Sequence, residues 1–241
     1  MIVNIYDELT WLRAEVERLG KLVLPKMELA VPSYFFPGLK WDLLLTKNPG
    51  HTIINPGNGP GTSPVAAYVT QVVKAKATGA HVFGYVYTQY GNRPVADVKL
   101  DVDRHFSFYA VTGIFFDQGA NTLDKLQYYK QLYDYVKSKG GQVALNPGTR
   151  TIQEYTAAAD HIMVAETDLA TYRTRSDVPW EKTVSDCMFW HCVHTCPASN
   201  LPEVLGLARA RNAGMLYVTD DVMPNPYDQL PTYLDALVGG L

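Results

Sequence analysis

The sequence predicts a (β/α)8 TIM barrel over residues 25–241, preceded by a short helical leader over 1–24. Three observations predict it. Eight short apolar runs alternate with helical stretches, and a parallel return between strands needs such a crossover. The 241 residues sit close to the roughly 250 typical of that barrel. No Gly-x-Gly-x-x-Gly loop follows the first run, as an open dinucleotide-binding sheet would require.

The elements follow in order. Asp7 to Gly20 reads as a helix that stops at the glycine. Its apolar positions Ile5, Leu9, Leu12, Val16, Leu19 and Val23 alternate gaps of four and three, a heptad seam. With Leu9 and Val16 at a positions, Glu8 falls at g and Arg13 at the following e, where a parallel coil places its ion pairs. Two readings stay open: a coiled coil making a homo-oligomer, or an amphipathic helix covering one end of the barrel. After Pro25 the runs are Leu29–Phe35, His51–Pro56, His81–Thr88, Gly113–Asp117, Gln142–Pro147, His161–Thr167, Cys187–His194 and Gly214–Asp220. They are β-branched or aromatic and too short for buried helices, so they read as strands. Helices are expected over Trp41–Lys47, Pro64–Thr78, Pro94–Ala110, Thr122–Lys139, Thr151–Ala159, a segment within Leu169–Glu181, Leu201–Asn212 and Gln229–Val238. The glycine-rich stretch Asn55 to Gly61 lacks the P-loop lysine, and its prolines remove amide donors, so it reads as a rigid loop rather than a phosphate cradle.

Composition excludes several functions. Basic and acidic residues number 21 and 24, so nucleic-acid binding has no electrostatic footprint. No uncharged apolar stretch of about 18 residues predicts a membrane span. At 47% hydrophobic, the chain is too apolar for disorder. The start carries acids and bases throughout and shows no secretory signal pattern. Three cysteines, Cys187, Cys192 and Cys196, cannot all pair internally.

Barrel sites are built where strands end at their C-termini. Those ends carry Tyr34, Asn55, Tyr87, Asp117 with Gln118, Asn146, Glu166 with Asp168, His194, and Asp220 with Asp221. Carboxylates from strands four, six and eight thus converge on one mouth, and a pair of carboxylates flanking a bond is the equipment of glycoside hydrolysis. Aromatic rings, amides and a histidine are the expected lining of a sugar cleft. For Asp168, Asp220 and Asp221, capping the following segment is an equal expectation. Asp117 and Glu166 end strongly apolar strands, which favours chemistry. Such hydrolysis calls for no cofactor and no metal.

A set of motifs carries a family resemblance. They are Val31 to Gly38, Ile54 to Gly61, Gly84 to Tyr90 with Arg93, Gly113 to Asp117, Asn146 to Thr149, and Tyr217 to Asp221. As a set in this order the chain resembles the spherulin-type, spherulation-specific proteins, grouped as glycoside hydrolase family 135. The resemblance implies a (β/α)8 fold and endo-acting cleavage of α-1,4-linked N-acetylgalactosamine within microbial exopolysaccharide, including biofilm matrix. It also implies an acidic pair after strand four and a glutamate after strand six. Here that pair is Asp117-Gln118, and a glutamine transfers no proton. With Asp117 and Glu166 as the working pair, the chain hydrolyses and Gln118 holds a substrate hydroxyl or acetamido group. With position 118 essential, the chain is a silenced carbohydrate-binding barrel. The expected substrate contacts are Tyr34, Asn55, Tyr87, Tyr90, Arg93, Gln118, Asn146, His194 and Asp220. The implied site of action is extracellular. With no signal peptide visible, the heptad leader on a polysaccharide-cleaving barrel also fits a virion-associated phage tail component.

Three further groups have simpler explanations. His191, Cys192, His194 and Cys196 are all zinc-ligand types, but strand alternation turns His191 outward when His194 faces the mouth. Tyr85 is expected to pack inside the barrel. Tyr128, Tyr129, Tyr133 and Tyr135 read as one packing stripe on the fourth helix.

Overall fold

The computed structural model describes Glu15 and residues 26–241; apart from Glu15, the expected leader over 1–24 lies outside the described residues. Strands β1 (Glu28–Pro32), β2 (His51–Ile54), β3 (His81–Tyr87), β4 (Gly113–Asp117), β5 (Gln142–Leu145), β6 (His161–Asp168), β7 (Phe189–His194) and β8 (Met215–Val218) form one closed parallel barrel in chain order. It closes through Glu28 opposite Met215 and Leu29 opposite Leu216. Around it lie helices α1 (Leu39–Leu45), α2 (Ala66–Ala77), α3 (Val95–Tyr109), α4 (Leu126–Ser138), α5 (Leu169–Thr174), α6 (Leu201–Ala210) and α7 (Leu234–Gly240). No helix among the described residues is long and apolar enough to cross a membrane.

Two expected helices are corrected. Over Thr151–Ala159 the chain makes only a 3-10 turn, Gln153–Ala157. Its path is pinned at both ends. Buried Tyr155 donates to the Thr122 carbonyl at 2.8 Å. The Asp160 carboxylate accepts the Val143 amide at 2.8 Å, tying the return to β5. The last helix starts at Leu234, not at Gln229. Pro231 disfavours helical backbone at Leu230, and Asp220 holds the Thr232 amide and hydroxyl outside any helix.

Inward-facing side chains fill the barrel. His51 lies 5.8 Å from Phe83, and Phe115 lies 5.9 Å from Trp190, centroid to centroid. Above Phe115 sits Tyr85, which also meets Tyr34 edge-on at 5.8 Å. Outside, α3 packs so close to β3 that a Cβ on Gly84 would come within 2.4 Å of the His105 ring.

β6 departs from regular pairing. Met163 lies opposite Trp190, but the next partner of β7 is Ala165, so Val164 is an extra residue, a β-bulge. The bulge has a direct consequence for the site. Counting by twos from inward-facing His161 and Met163 would turn Glu166 toward the helices. With Val164 bulged, Glu166 pairs with inward-facing Cys192 instead.

Candidate functional site

The mouth is organised by Asn146, the first residue after β5. Its amide nitrogen Nδ2 donates to Asp117 Oδ1 at 2.9 Å and to Glu166 Oε2 at 2.7 Å. Its own Oδ1 accepts the Gly148 amide at 2.8 Å, which fixes the amide so that its donors face the carboxylates. Its backbone is held as firmly, donating to Phe116 O at 2.8 Å and accepting from Gly119 N at 2.7 Å. The approach needs a glycine at 119, since a Cβ there would sit 2.8 Å from Leu145 Cδ1. Asn146 is 2% exposed.

The two carboxylates differ in their surroundings. Asp117 ends β4 and accepts the Tyr85 hydroxyl at 2.7 Å on its second oxygen. Burial raises its pKa, while hydrogen bonds from Tyr85, the Gln118 amide and Asn146 pull the other way. Burial likewise raises the pKa of Glu166, and the charge of Asp117 adds to the rise against the opposing Asn146 bond. Tyr227 stands beside Glu166 close enough to act on its ionisation, yet its hydroxyl makes no hydrogen bond of proper geometry. Tyr227 is anchored to β1 by its carbonyl, which accepts the Tyr34 amide at 3.2 Å.

Glu166, Tyr34, His194 and Tyr227 line a cavity of about 350 Å³, completed by Met223, Pro224, Asn225 and Pro226 from the loop after β8. Tyr34 meets Tyr227 edge-on at 5.8 Å, so the cavity has an aromatic wall. His194 is buried, which lowers its pKa, and its Nδ1 lies 2.9 Å from the Thr195 hydroxyl.

The structure thus brings together Tyr34, Asp117, Asn146, Glu166 and His194 of the expected residues. Others have different occupations. Asn55 accepts the Gly59 amide at 2.8 Å and staples its own loop. Arg93 lies over the Tyr87 ring at 4.3 Å and donates to Asp101 at 2.5 Å, so it braces the top of β3 and engages the face of Tyr87. Asp220 bonds Thr232, and Asp168 caps α5 through the Thr171 amide at 2.9 Å. Tyr90 is exposed on the rim. Gln118 is exposed with a left-handed φ of 49°, its carbonyl accepting from Tyr90 N and Thr88 Oγ1. His191 faces outward and shares a 2.8 Å hydrogen bond with Tyr172, while Cys192 is buried.

Sequence reasoning missed two residues. Tyr85 was expected only to pack, but it both packs and donates to Asp117; its place two residues inside Tyr87 on the same strand face was the available signal. Tyr227 sits in an irregular loop where no periodicity speaks.

The model of the spherulation-specific family 4 matches residues 28–241, essentially the whole barrel. The chain belongs to this family. Among members of similar sequence is Spherulin-4 of Physarum polycephalum, 32% identical over 228 residues that cover 86% of this chain and 68% of that protein. Among solved structures, Aspergillus clavatus Sph3, crystallised in complex with GalNAc, superposes with a TM-score of 0.80 at 26% identity, covering 90% of this chain and 97% of that one. The GH18 chitinase ChiB of Flavobacterium johnsoniae matches with a TM-score of 0.56 at 10% identity over 89% of this chain and 94% of its own, a likeness of fold alone. This spherulation-family chain therefore shares its closed eight-stranded barrel fold with these structures.

Proposed function

We propose that this protein is an endo-acting glycoside hydrolase that cleaves α-1,4-linked N-acetylgalactosamine within an exopolysaccharide, with Glu166 as general acid/base and Asp117 as nucleophile or stabiliser of the oxocarbenium-like charge. The observation that carries this reading is the bridging of both buried carboxylates by the one amide of Asn146. The division of roles follows from their partners. Burial raises the pKa of both, but Asp117 receives three hydrogen bonds that favour its charged form, which suits it better to the charged role. Glu166 feels burial and the neighbouring negative charge together, against the opposing bond from Asn146, which suits it to the proton-donating role. Sph3, similar in sequence and fold, was crystallised with GalNAc, which supports the sugar assigned here.

The same amide bears on stereochemistry. Bonds of 2.9 and 2.7 Å from one nitrogen cap the separation of the bridged oxygens at their sum, about 5.6 Å. Retaining enzymes hold their carboxyl groups about 5–5.5 Å apart and inverting ones about 6.5–9.5 Å, and two carboxyls sharing one amide nitrogen favour the closer arrangement, so retention is the outcome to test. Asp117→Asn and Glu166→Gln should each lower turnover by about a hundredfold to ten-thousandfold in a reducing-end assay on α-1,4-linked N-acetylgalactosamine polymer. Full activity in either variant would sink the assignment, and the anomer formed first, read by proton NMR, tests retention.

A second reading rests on Gln118, where the family resemblance implies a glutamate. On that reading the chain binds the polymer without cutting it. Its signature is tight polymer binding, no reducing ends released, and turnover gained in Gln118→Glu.

A further inference from the structure

Tyr227 is fixed at every point except its hydroxyl. Its amide donates to Asn225 Oδ1 at 3.3 Å, and its carbonyl accepts the Tyr34 amide at 3.2 Å. Its ring lies between those of Tyr34 and Tyr217, with centroids 5.8 and 6.2 Å away. The residue is 5% exposed. Its hydroxyl oxygen is shut off from solvent and makes no hydrogen bond of proper geometry to any described residue. Buried donors are nearly always paired, because an unpaired one has lost its water and gained nothing in return. No water reaches this one, so its partner must come from the protein.

The acceptor beside it is the carboxyl of Glu166, which lines the same cavity. Glu166 is faced by Asp117 of β4, Asn146 after β5, Cys192 and His194 of β7, Tyr34 after β1, and Tyr227. Two of these give it a hydrogen bond or stand within reach of one, Asn146 and Tyr227. They differ in freedom. The Asn146 amide is shared with Asp117 and locked by the Gly148 amide, so it cannot answer to changes at Glu166. The Tyr227 O–H turns about its own C–O bond and is committed to nothing else. Burial, with Cys192 and Glu166 beside it, holds the phenol well above its ordinary pKa, so it keeps its proton and serves as a donor throughout.

We infer that Tyr227 is a positioning residue for Glu166, its hydroxyl donating to the carboxyl in a bond that strengthens as Glu166 passes its proton to the leaving oxygen. The inference rests on the reading of Glu166 as general acid/base of a hydrolase. In the first step the anomeric C–O bond breaks and its electron pair goes to the leaving oxygen. The Glu166 proton follows to that oxygen, while the phenol keeps its own. A hydrogen bond to a carboxylate is about twice as strong as one between neutral groups. Tyr227 therefore holds the transition state more tightly than the ground state, which is the condition for raising turnover. The same bond makes Glu166 a weaker base in the second step, so its benefit lies with leaving groups that need a proton. Asn146 sets where the carboxyl sits, and Tyr227 responds to its charge.

Tyr227→Phe tests it, since it removes the hydroxyl and keeps the ring. In the whole protein with isotope-labelled glutamate carboxyls, NMR follows Glu166 by the signal that Glu166→Gln removes. That carboxyl should titrate about one to two pH units higher in Tyr227→Phe, because its charged form has lost a donor. Tyr34→Phe, which removes the neighbouring hydroxyl, should leave the titration in place. On α-1,4-linked N-acetylgalactosamine polymer, Tyr227→Phe should lower kcat by about tenfold to a hundredfold with KM little changed. On an oligosaccharide of the same linkage with a nitrophenyl leaving group, which departs without a proton, the loss should stay within about twofold. A melting temperature no lower than that of the parent would show the fold intact. The inference is overturned if Glu166 titrates alike with and without the hydroxyl, or if both substrates lose activity equally. Either result, with polymer turnover still dependent on Glu166, leaves the proposed hydrolysis standing. A parent protein that releases no reducing ends would instead remove that first reading, and the Glu166 titration then decides the Tyr227 bond alone.

Discussion

Asn146 shows how one neutral side chain can govern two charged ones. Its two N–H bonds favour the ionised form of each carboxylate, and its third bond, from Gly148, prevents the amide from turning over. Hydrogen bonds to charged groups contribute about 1.5–3 kcal/mol each. Asn146→Ala should therefore slow turnover by about tenfold to a hundredfold. The variant should also raise the pKa of both carboxyls, so the limb of the pH–rate profile set by Glu166 moves to higher pH. A lower melting temperature with an unmoved profile would reduce Asn146 to a structural part. The chain order made this residue visible as the end of strand five, but only as a substrate contact. Its role between Asp117 and Glu166 depends on the Gly148 amide and on how β5 and β6 lean, which no residue spacing encodes.

At the scale of elements, most of the barrel was legible because each strand is a compact apolar run and each crossover has helical periodicity. β4, Gly113–Asp117, coincides with its expected run, since Gly113 and Asp117 bound an unbroken apolar core. The bulge in β6 was not legible. His161 to Asp168 contains no glycine or proline to mark it, and strict alternation would have faced Glu166 away from the mouth. Glu166 was reached because strand ends define barrel mouths, a rule that survives a change of register. The four tyrosines of α4 show the opposite limit. Their spacing suggested one packing stripe, yet their hydroxyls bond Arg93 O, Thr88, Asp160 and Asp103, so the helix is pegged to several neighbours. The β3–α3 contact can be tested directly. Gly84→Ala drives a methyl into the His105 ring, and overpacking of this kind costs about 1–3 kcal/mol. Differential scanning calorimetry should show a melting temperature lower by about 2–12 °C, with turnover below the transition little changed. An unaltered melting temperature would mean that α3 is free to move outward.

For the whole molecule, the same burial that tunes the site sets its pH limits. His105, His161 and His191 are buried, and burial lowers the pKa of each, that of His105 to about 4 from 6.5. In the unfolded chain these imidazoles bind protons near pH 6.5, so the unfolded state holds more protons below that point and stability falls as pH drops. The loss begins near the unfolded value and, for His105, is complete near its folded value. His105 alone contributes about 3 kcal/mol of this loss. Asp117 and Glu166 act in the opposite sense. Their raised pKa values let the folded state hold extra protons in acid, and that contribution disappears as pH rises through them. Burial lowers the pKa of His81 and His194 as well, so five imidazoles act against the two carboxyls. Acidification from neutrality toward pH 4 should therefore lower the melting temperature, and the accompanying loss of unfolding free energy should be smaller by about 3 kcal/mol in His105→Gln. Turnover should then fail on the two sides for different reasons. On the alkaline side Glu166 gives up the proton it must donate, and activity returns at once when pH is restored. On the acid side the barrel itself opens, so activity falls together with near-ultraviolet circular dichroism. An acid limb that leaves the dichroism intact, and that His105→Gln does not move, would place the acid limit in the carboxylate pair and not in the buried histidines.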